Sequence, residues 1–183
     1  GYVVQGPHPV IWCPHDQSPR GDHDRLEGEG ESPVDYVLLK FVLKDDRESL
    51  ILPAATLRPE TIYGVTNMWL RPDNEYVKAK VDDETWLLSV RAAMMLADQM
   101  KSIEITGRIK GSELLGKKCT NPITKKEVPI LPGTFVDPDA STGIVMSVPS
   151  HAPYDWIALK ELIERNELKK YKSCYSTQDD LQI

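Results

Sequence analysis

Between residues 34 and 171 the chain carries short apolar runs and alternations, broken by charged or Gly/Pro-containing stretches, and these set the expected elements. "VDYVLLKFVL" (34–43) and "SLILPAAT" (49–56) are β-branched and aliphatic runs separated by the charged "KDDRE", a pattern that predicts a hairpin. "EYVKAKV" (75–81) and "IEITGRI" (103–109) place apolar residues at alternate positions and predict two further strands. Between them, "ETWLLSVRAAMMLADQM" (84–100) combines good helix formers with spacing that partly fits a 3.6-residue period, so its later half at least is expected to be helical. Residues 111 to 135 are punctuated by Gly and Pro and predict short strands and turns. "GIVMSVP" (143–149) reads as a buried strand ended by proline. "YDWIALKELIERNELKKY" (154–171) then sets Trp156, Leu159, Leu162 and Ile163 on one face of an amphipathic helix. The sum predicts a β-rich α/β domain, a compact barrel-like core with flanking helices. Residues 1–33 form an irregular N-terminal arm, because 13–33 lack any apolar period, and 34–183 form the core.

Composition narrows the classes. The 183 residues are long enough for one domain with a proper core. With 40% hydrophobic and 27% charged residues, and no apolar run near the ~20 residues of a spanning helix, neither disorder nor a membrane span is expected. A net charge of -6 argues against broad, charge-driven binding to a nucleic-acid backbone, although docking to one end of a nucleic acid stays open. Cys13, Cys119 and Cys174 are widely spaced and odd in number, which fits a reducing cytosol better than a disulfide framework. No signal peptide is visible. The chain opens without methionine and closes in a polar "STQDDLQI", so it reads as a domain cut from the middle of a longer protein.

Candidate chemistry is sparse. Cys13 and His15, with His8 and His23 nearby, raise a metal site, but there is no CxxC and no second Cys/His pair to complete four ligands, so no metal or cofactor is expected. No G-x-S-x-G elbow, Walker pattern or G-x-G-x-x-G follows any strand. Two polar constellations remain, both at strand exits: Thr56, Arg58, Glu60 and Thr61 after "SLILPAA", and Ser150, His151 and Asp155 in "VPSHAPYD". A rigid strand can aim such groups at a ligand while the loop exposes them. They can equally satisfy turn amides or cap the following helix, and both readings stand at this point.

The same two segments carry a resemblance. "TLRPETIYGVTNMWLRPD" resembles the threonine-rich peptide, and "STGIVMSVPSHAPYD" the G-T-G strand with its Pro and following Asp, of the editing domain inserted in class I aminoacyl-tRNA synthetases for leucine, isoleucine and valine. "ATLRPETIYGVTNMW" with "VPSHAPYDW" is most similar to the archaeal and eukaryotic leucine type, and "HPVIWCPHDQSPRGDHDRLEGEGESPVDY" looks like the stretch leading into that insertion. Leu57 stands where many relatives have a second threonine, and Ala152 where bacterial leucine enzymes have aspartate. The HIGH and KMSKS motifs of synthesis are absent, so ATP is expected to bind the rest of a parent synthetase and not this piece.

The resemblance implies hydrolysis of the ester on mischarged tRNA-Leu, in the cytoplasm, by a domain most simply monomeric. It implies that Asp155 holds the substrate α-ammonium, that Thr56 steadies the reacting carbonyl or ribose hydroxyl, and that Thr61 forms the wall excluding leucine. Met146 and Val148 would line the side-chain pocket. His151 would contact the terminal adenosine, and Arg58, beside Leu57, would position the acceptor end at the 3' terminus of the tRNA.

Overall fold

The computed structural model describes residues 1–6, 9–27, 30, 34–44, 49–99 and 102–174. The chain divides into two compact units, Gly1–Tyr36 and Val37–Ile183. The first holds a small antiparallel hairpin of β1 (Trp12–Cys13) and β2 (Ser18–Pro19), and a 3-10 turn over Asp22–Asp24 that is closed by the Gly21 N–H donating to Asp24 Oδ2 at 3.2 Å. That hairpin lies within the stretch expected to be irregular. His8 lies outside the described residues, and among those described no group of three or more His, Cys, Asp or Glu side chains is placed to hold a metal ion.

The second unit is built on β3 (Val37–Lys44), β4 (Ser49–Thr56), β5 (Asn67–Leu70), β6 (Glu75–Val81), β7 (Glu84–Ser89), β8 (Ile103–Lys110), β9 (Lys118–Thr120), β10 (Glu127–Pro132) and β11 (Val145–Ser147), with helices α1 (Val90–Gln99) and α2 (Pro153–Glu164). The strands form one nine-stranded sheet in the order β11-β5-β10-β9-β3-β4-β7-β6-β8. It is mixed: β4 with β7 and β5 with β10 run parallel, and the remaining pairs antiparallel. The expected hairpin is present, with Val37 opposite Thr56 and Lys44 opposite Ser49; its connecting residues 45–48 lie outside the described set.

The barrel-like closure is corrected. The sheet is open, ending at β11 and β8, and among the described residues no ladder joins those edges. It nevertheless curls, bringing β11 close to β4, with which it shares no ladder. Side chains alternate along each strand, so the curl has an inner and an outer face. The inner cluster takes Phe41, Leu52, Met68, Tyr76, Leu87, Ile130 and Met146. On the outer face Val77, Ala79, Trp86 and Leu88 pack with Ala92 and Ala93 of α1, while Trp69 and Leu131 pack with Leu159 and Leu162 of α2. Strands covered on both faces read as nearly continuous apolar runs, and this is why "TNMWLR" gave no clear alternation in sequence.

The helix expected over the later half of 84–100 is present from Val90, and the earlier half, Glu84–Ser89, is strand. Ser89 makes the switch: its Oγ accepts the Ala92 N–H at 3.1 Å, a helix N-cap at the last residue of a strand. In α2, Leu159 and Leu162 are buried, whereas Trp156 and Ile163 are exposed, so the apolar face is narrower than the pattern suggested. The helix also stops at Glu164, and Glu167–Cys174 continue as 3-10 turns.

Gly143 shows what the glycine of "STG" does. It has φ +73°, and a Cβ there would lie 2.6 Å from Ser89 Cβ. Around it, the Ser89 N–H donates to Thr142 O at 3.1 Å and the Tyr76 hydroxyl donates to Gly143 O at 3.0 Å, tying the entry of β11 to the β7–α1 junction and to β6. Gly143→Ala meets both the left-handed penalty and an overpacked contact, and should cost about 2–4 kcal/mol. Urea unfolding should show this as a lower midpoint with an unchanged slope.

Candidate active site

The first polar constellation follows β4. Thr56 ends the strand, its Oγ1 accepting the Arg58 N–H at 3.0 Å. Pro59–Gly64 then form a 3-10 helix, in which Thr61 Oγ1 donates to Arg58 O at 2.8 Å. The two threonines therefore grip one residue's backbone from both sides. This satisfies turn groups, as the local reading expected, and it also sets their remaining chemistry. Thr56 accepts and keeps its O–H free to donate. Thr61 donates, so its side-chain rotamer, and with it the methyl group, is fixed. Leu57 and Arg58 are exposed, and Arg58 has no ion-pair partner among the described residues. The Ile62 carbonyl accepts from the buried Asn121 amide at 3.0 Å, pinning the middle of the turn.

The second constellation follows β11, and one ladder brings it to the first. β5 begins three residues after Gly64, and β11 pairs with it antiparallel, Ser147 opposite Asn67, Met146 opposite Met68 and Val145 opposite Trp69. The Thr66 N–H donates to Ser147 O at 3.1 Å, extending the ladder toward the turn. A Cβ on Gly64 would sit 3.3 Å from Val148 Cγ1 and 3.5 Å from Ser150 Oγ, so the end of one segment rests on the start of the other. Met146 and Val148 are buried beside Ile62, Leu52 and Ala54 in the inner cluster.

Asp155 lies in the first turn of α2 and is 4% exposed. It does not cap its helix: the N-cap is Ala152, without a side-chain hydrogen bond. Its Oδ2 accepts the Val148 N–H at 2.7 Å, and its Oδ1 accepts the Trp69 indole N–H at 3.1 Å. Burial pushes its carboxyl above the ordinary range, and the Val148 amide and the Trp69 indole pull it back by favouring the charged form. His151 is exposed. A shallow depression of about 350 Å³ beside it is lined by Pro149, Ser150, His151, Pro153, Trp156 and Ile157. Neither threonine nor Asp155 belongs to its walls, so this concavity is distinct from the place where the carboxylate sits.

Residues 37–172 match the family model described as leucyl-tRNA synthetase, editing domain. The chain belongs to this leucyl-tRNA synthetase editing-domain family. The leucine–tRNA ligase of Pyrococcus abyssi is 52% identical over 172 residues, covering 92% of this chain and 18% of the ligase. That of Methanothrix thermoacetophila is 51% identical over 171 residues, covering 93% and 18%. The chain thus spans under a fifth of the length of these relatives. Among solved structures, the crystal structure of GlLeuRS-CP1 superposes with a TM-score of 0.68 at 31% identity, covering 75% of this chain and 65% of that one. The P. falciparum cytosolic leucyl-tRNA synthetase editing domain does so at 0.65 and 20% identity, covering 80% and 71%, a likeness of fold. Among the described residues, no helix of this editing-domain chain is long and apolar enough to cross a membrane.

Sequence reasoning passed over the two groups that hold the editing-domain carboxylate. The Val148 amide leaves no trace in sequence. Trp69 does: a tryptophan inside a short apolar strand must find an acceptor for its N–H when buried, and Asp155 is the buried carboxylate that supplies one.

In Asp155→Asn only one end of the side chain can accept, so either the Val148 amide or the Trp69 indole loses its partner, at a cost of about 1–3 kcal/mol. The folded chain binds the Asp155 proton more tightly than the unfolded chain. The carboxyl's contribution to stability is therefore largest at low pH and declines as pH rises from the ordinary carboxylate value through the raised folded value. Urea titrations should show the gap between parent and Asp155→Asn widening as pH falls through that window.

Proposed function

We propose that this chain hydrolyses the ester of tRNA-Leu mischarged with amino acids of the isoleucine, norvaline and methionine class, and spares leucyl-tRNA. The observation that carries the reading is the β5–β11 ladder, which sets Gly64, at the end of the threonine turn, beside Val148, whose backbone N–H donates to the buried Asp155 carboxylate. The physical need is plain. A leucine pocket cannot strongly reject apolar near-relatives, because one methylene contributes only about 1–3 kcal/mol of discrimination, a limit for which aminoacyl-tRNA synthetases are themselves the reference case.

Asp155, an acceptor-only group when ionised, takes the substrate α-ammonium and so fixes the ester carbonyl in space. The free O–H of Thr56 donates to the carbonyl oxygen as negative charge develops there, or to the ribose hydroxyl. Water then attacks the carbonyl carbon, the bond to the ribose oxygen breaks, and that oxygen takes up a proton, leaving free amino acid and tRNA. No side chain is assigned as general base; orientation by the anchored ammonium and stabilisation of the oxyanion supply the acceleration. The fixed methyl of Thr61 is the wall against leucine's γ-branch, and Met146 and Val148 form the apolar floor. His151 contacts the terminal adenosine, and the exposed Arg58 guanidinium, next to Leu57, holds the acceptor end of the tRNA. Residues 34–183 are the editing core, within a parent ligase that binds ATP elsewhere.

Deacylation of isoleucyl-tRNA-Leu and leucyl-tRNA-Leu, measured side by side, tests this. The isoleucyl ester should be lost selectively, with Thr56→Val and Asp155→Ala each slowing the loss by about 10²-fold. Intact hydrolysis in both variants would defeat the assignment, and tRNA binding without hydrolysis by the parent chain would favour a module that only binds the tRNA end.

Specificity has its own check. Thr61→Ala should release leucine from leucyl-tRNA-Leu at a rate approaching that for isoleucine; continued sparing of leucine would remove the steric wall.

A further inference from the structure

We infer that Trp69 is a positioning residue for this editing reaction, its indole N–H setting the direction in which the Asp155 carboxylate faces the substrate. The inference rests on the reading of Asp155 as the ammonium anchor. An anchor with a freely turning carboxylate would hold an ammonium but not one orientation of the ester beside it. Here each oxygen has its own donor, Oδ1 the Trp69 indole at 3.1 Å and Oδ2 the Val148 amide at 2.7 Å, one from within β5 and the other from the residue that follows β11. A carboxylate offers about four acceptor directions. With one on each oxygen already filled from fixed points, the plane is locked and the remaining two are aimed.

Trp69 is built as a rigid donor. Its backbone is held on both sides, opposite Val145 of β11 and Leu131 of β10. Its ring is 0% exposed and meets Phe135 edge-on, with centroids 5.5 Å apart and planes at 73°. Leu159 and Leu162 of α2 pack in the same cluster, so the ring contacts the helix that carries Asp155 as well as the carboxylate itself. Phenylalanine, one ring smaller, would fill only part of this volume. Beyond that volume the position adds the N–H, and it is directed at the one carboxylate the reaction uses. By favouring the ionised form against the burial that opposes it, the same N–H keeps the anchor charged over a wider range of pH.

Trp69→Phe removes the donor together with one ring, so benzothienylalanine at position 69, which keeps the bicyclic shape without the N–H, is measured beside it. The test follows kcat and KM for isoleucyl-tRNA-Leu deacylation across pH, in this chain and in the ligase that contains it, beside Asp155→Ala. The expected result is an acid limb displaced upward by about one pH unit, from the lost support of the charged form, together with a loss of about tenfold in kcat that persists above the new limb, from the lost orientation, with KM little changed. Carboxyl 13C shifts of labelled aspartate should report the same displacement for Asp155 without reference to activity. If Trp69→Phe does not fold, the benzothienylalanine chain serves in its place. An unchanged profile, a loss equal at every pH with no displacement of the limb, or full recovery of kcat above the limb overturns the positioning role. If Asp155→Ala itself deacylates normally, it is the anchor reading that fails, whatever Trp69→Phe does.

Discussion

A single buried carboxylate ties this fold together where β5, β11 and α2 meet. Asp155 reaches from the first turn of α2 to the amide that ends β11 and to the indole in the middle of β5, so three elements meet on one pair of oxygen atoms. Taking such a group out of water is costly, and the cost is offset only where both oxygens are satisfied by donors that do not move. The surroundings meet that condition. β5 is bonded along both edges, and β11 is joined to it. The raised proton affinity that remains marks a group held somewhat against its solvation, as functional carboxylates often are.

The same economy runs through the rest of the site. Thr56 and Thr61 stabilise their turn by bonding to Arg58, and the polarity of those bonds decides which hydroxyl retains a donor and which methyl is fixed. Gly143 belongs to the motif that delivers the second segment, yet its surroundings are architectural: it lets the chain pass Ser89 closely enough for β11 to enter beside β5. Structural and chemical explanations of these residues are therefore not rivals. The hydrogen bonds that shape the turns are the ones that orient the groups.

Much of this was legible in the sequence, and the pattern of what was not is physical. Hairpin β3–β4 announced itself by two long apolar runs around a charged break, and strands β6 and β8 by their alternation. β5 has four residues, all buried, and offers neither length nor alternation. The change from strand to helix at Ser89 was hidden because Trp86, Leu87 and Leu88 suit either state, and only the serine, with its capping hydroxyl, separates the two. An open curled sheet and a closed barrel share the same strand pattern, since closure depends on which edges meet. Trp156 and Ile163 misled because a helical stripe drawn from spacing takes no account of how narrow the contact with Trp69 and Leu131 is. At the site, Thr56, Thr61 and Asp155 could be picked out by residue type and place. Their partners could not, because Trp69 and Asp155 stand 86 positions apart and the Val148 donor is a backbone amide.

That separation also bears on biosynthesis. At a translation rate of about 5–20 residues per second, a ribosome needs roughly 4–17 s to pass from Trp69 to Asp155, a span of 86 positions. Throughout that interval the nascent chain carries the threonine turn and the indole but neither β11 nor the carboxylate. Contacts so distant along the chain form late in folding as well, because closing long loops is entropically slow. The bonds from Asp155 to the Trp69 indole and the Val148 amide are therefore made only after the first turn of α2 has been synthesised.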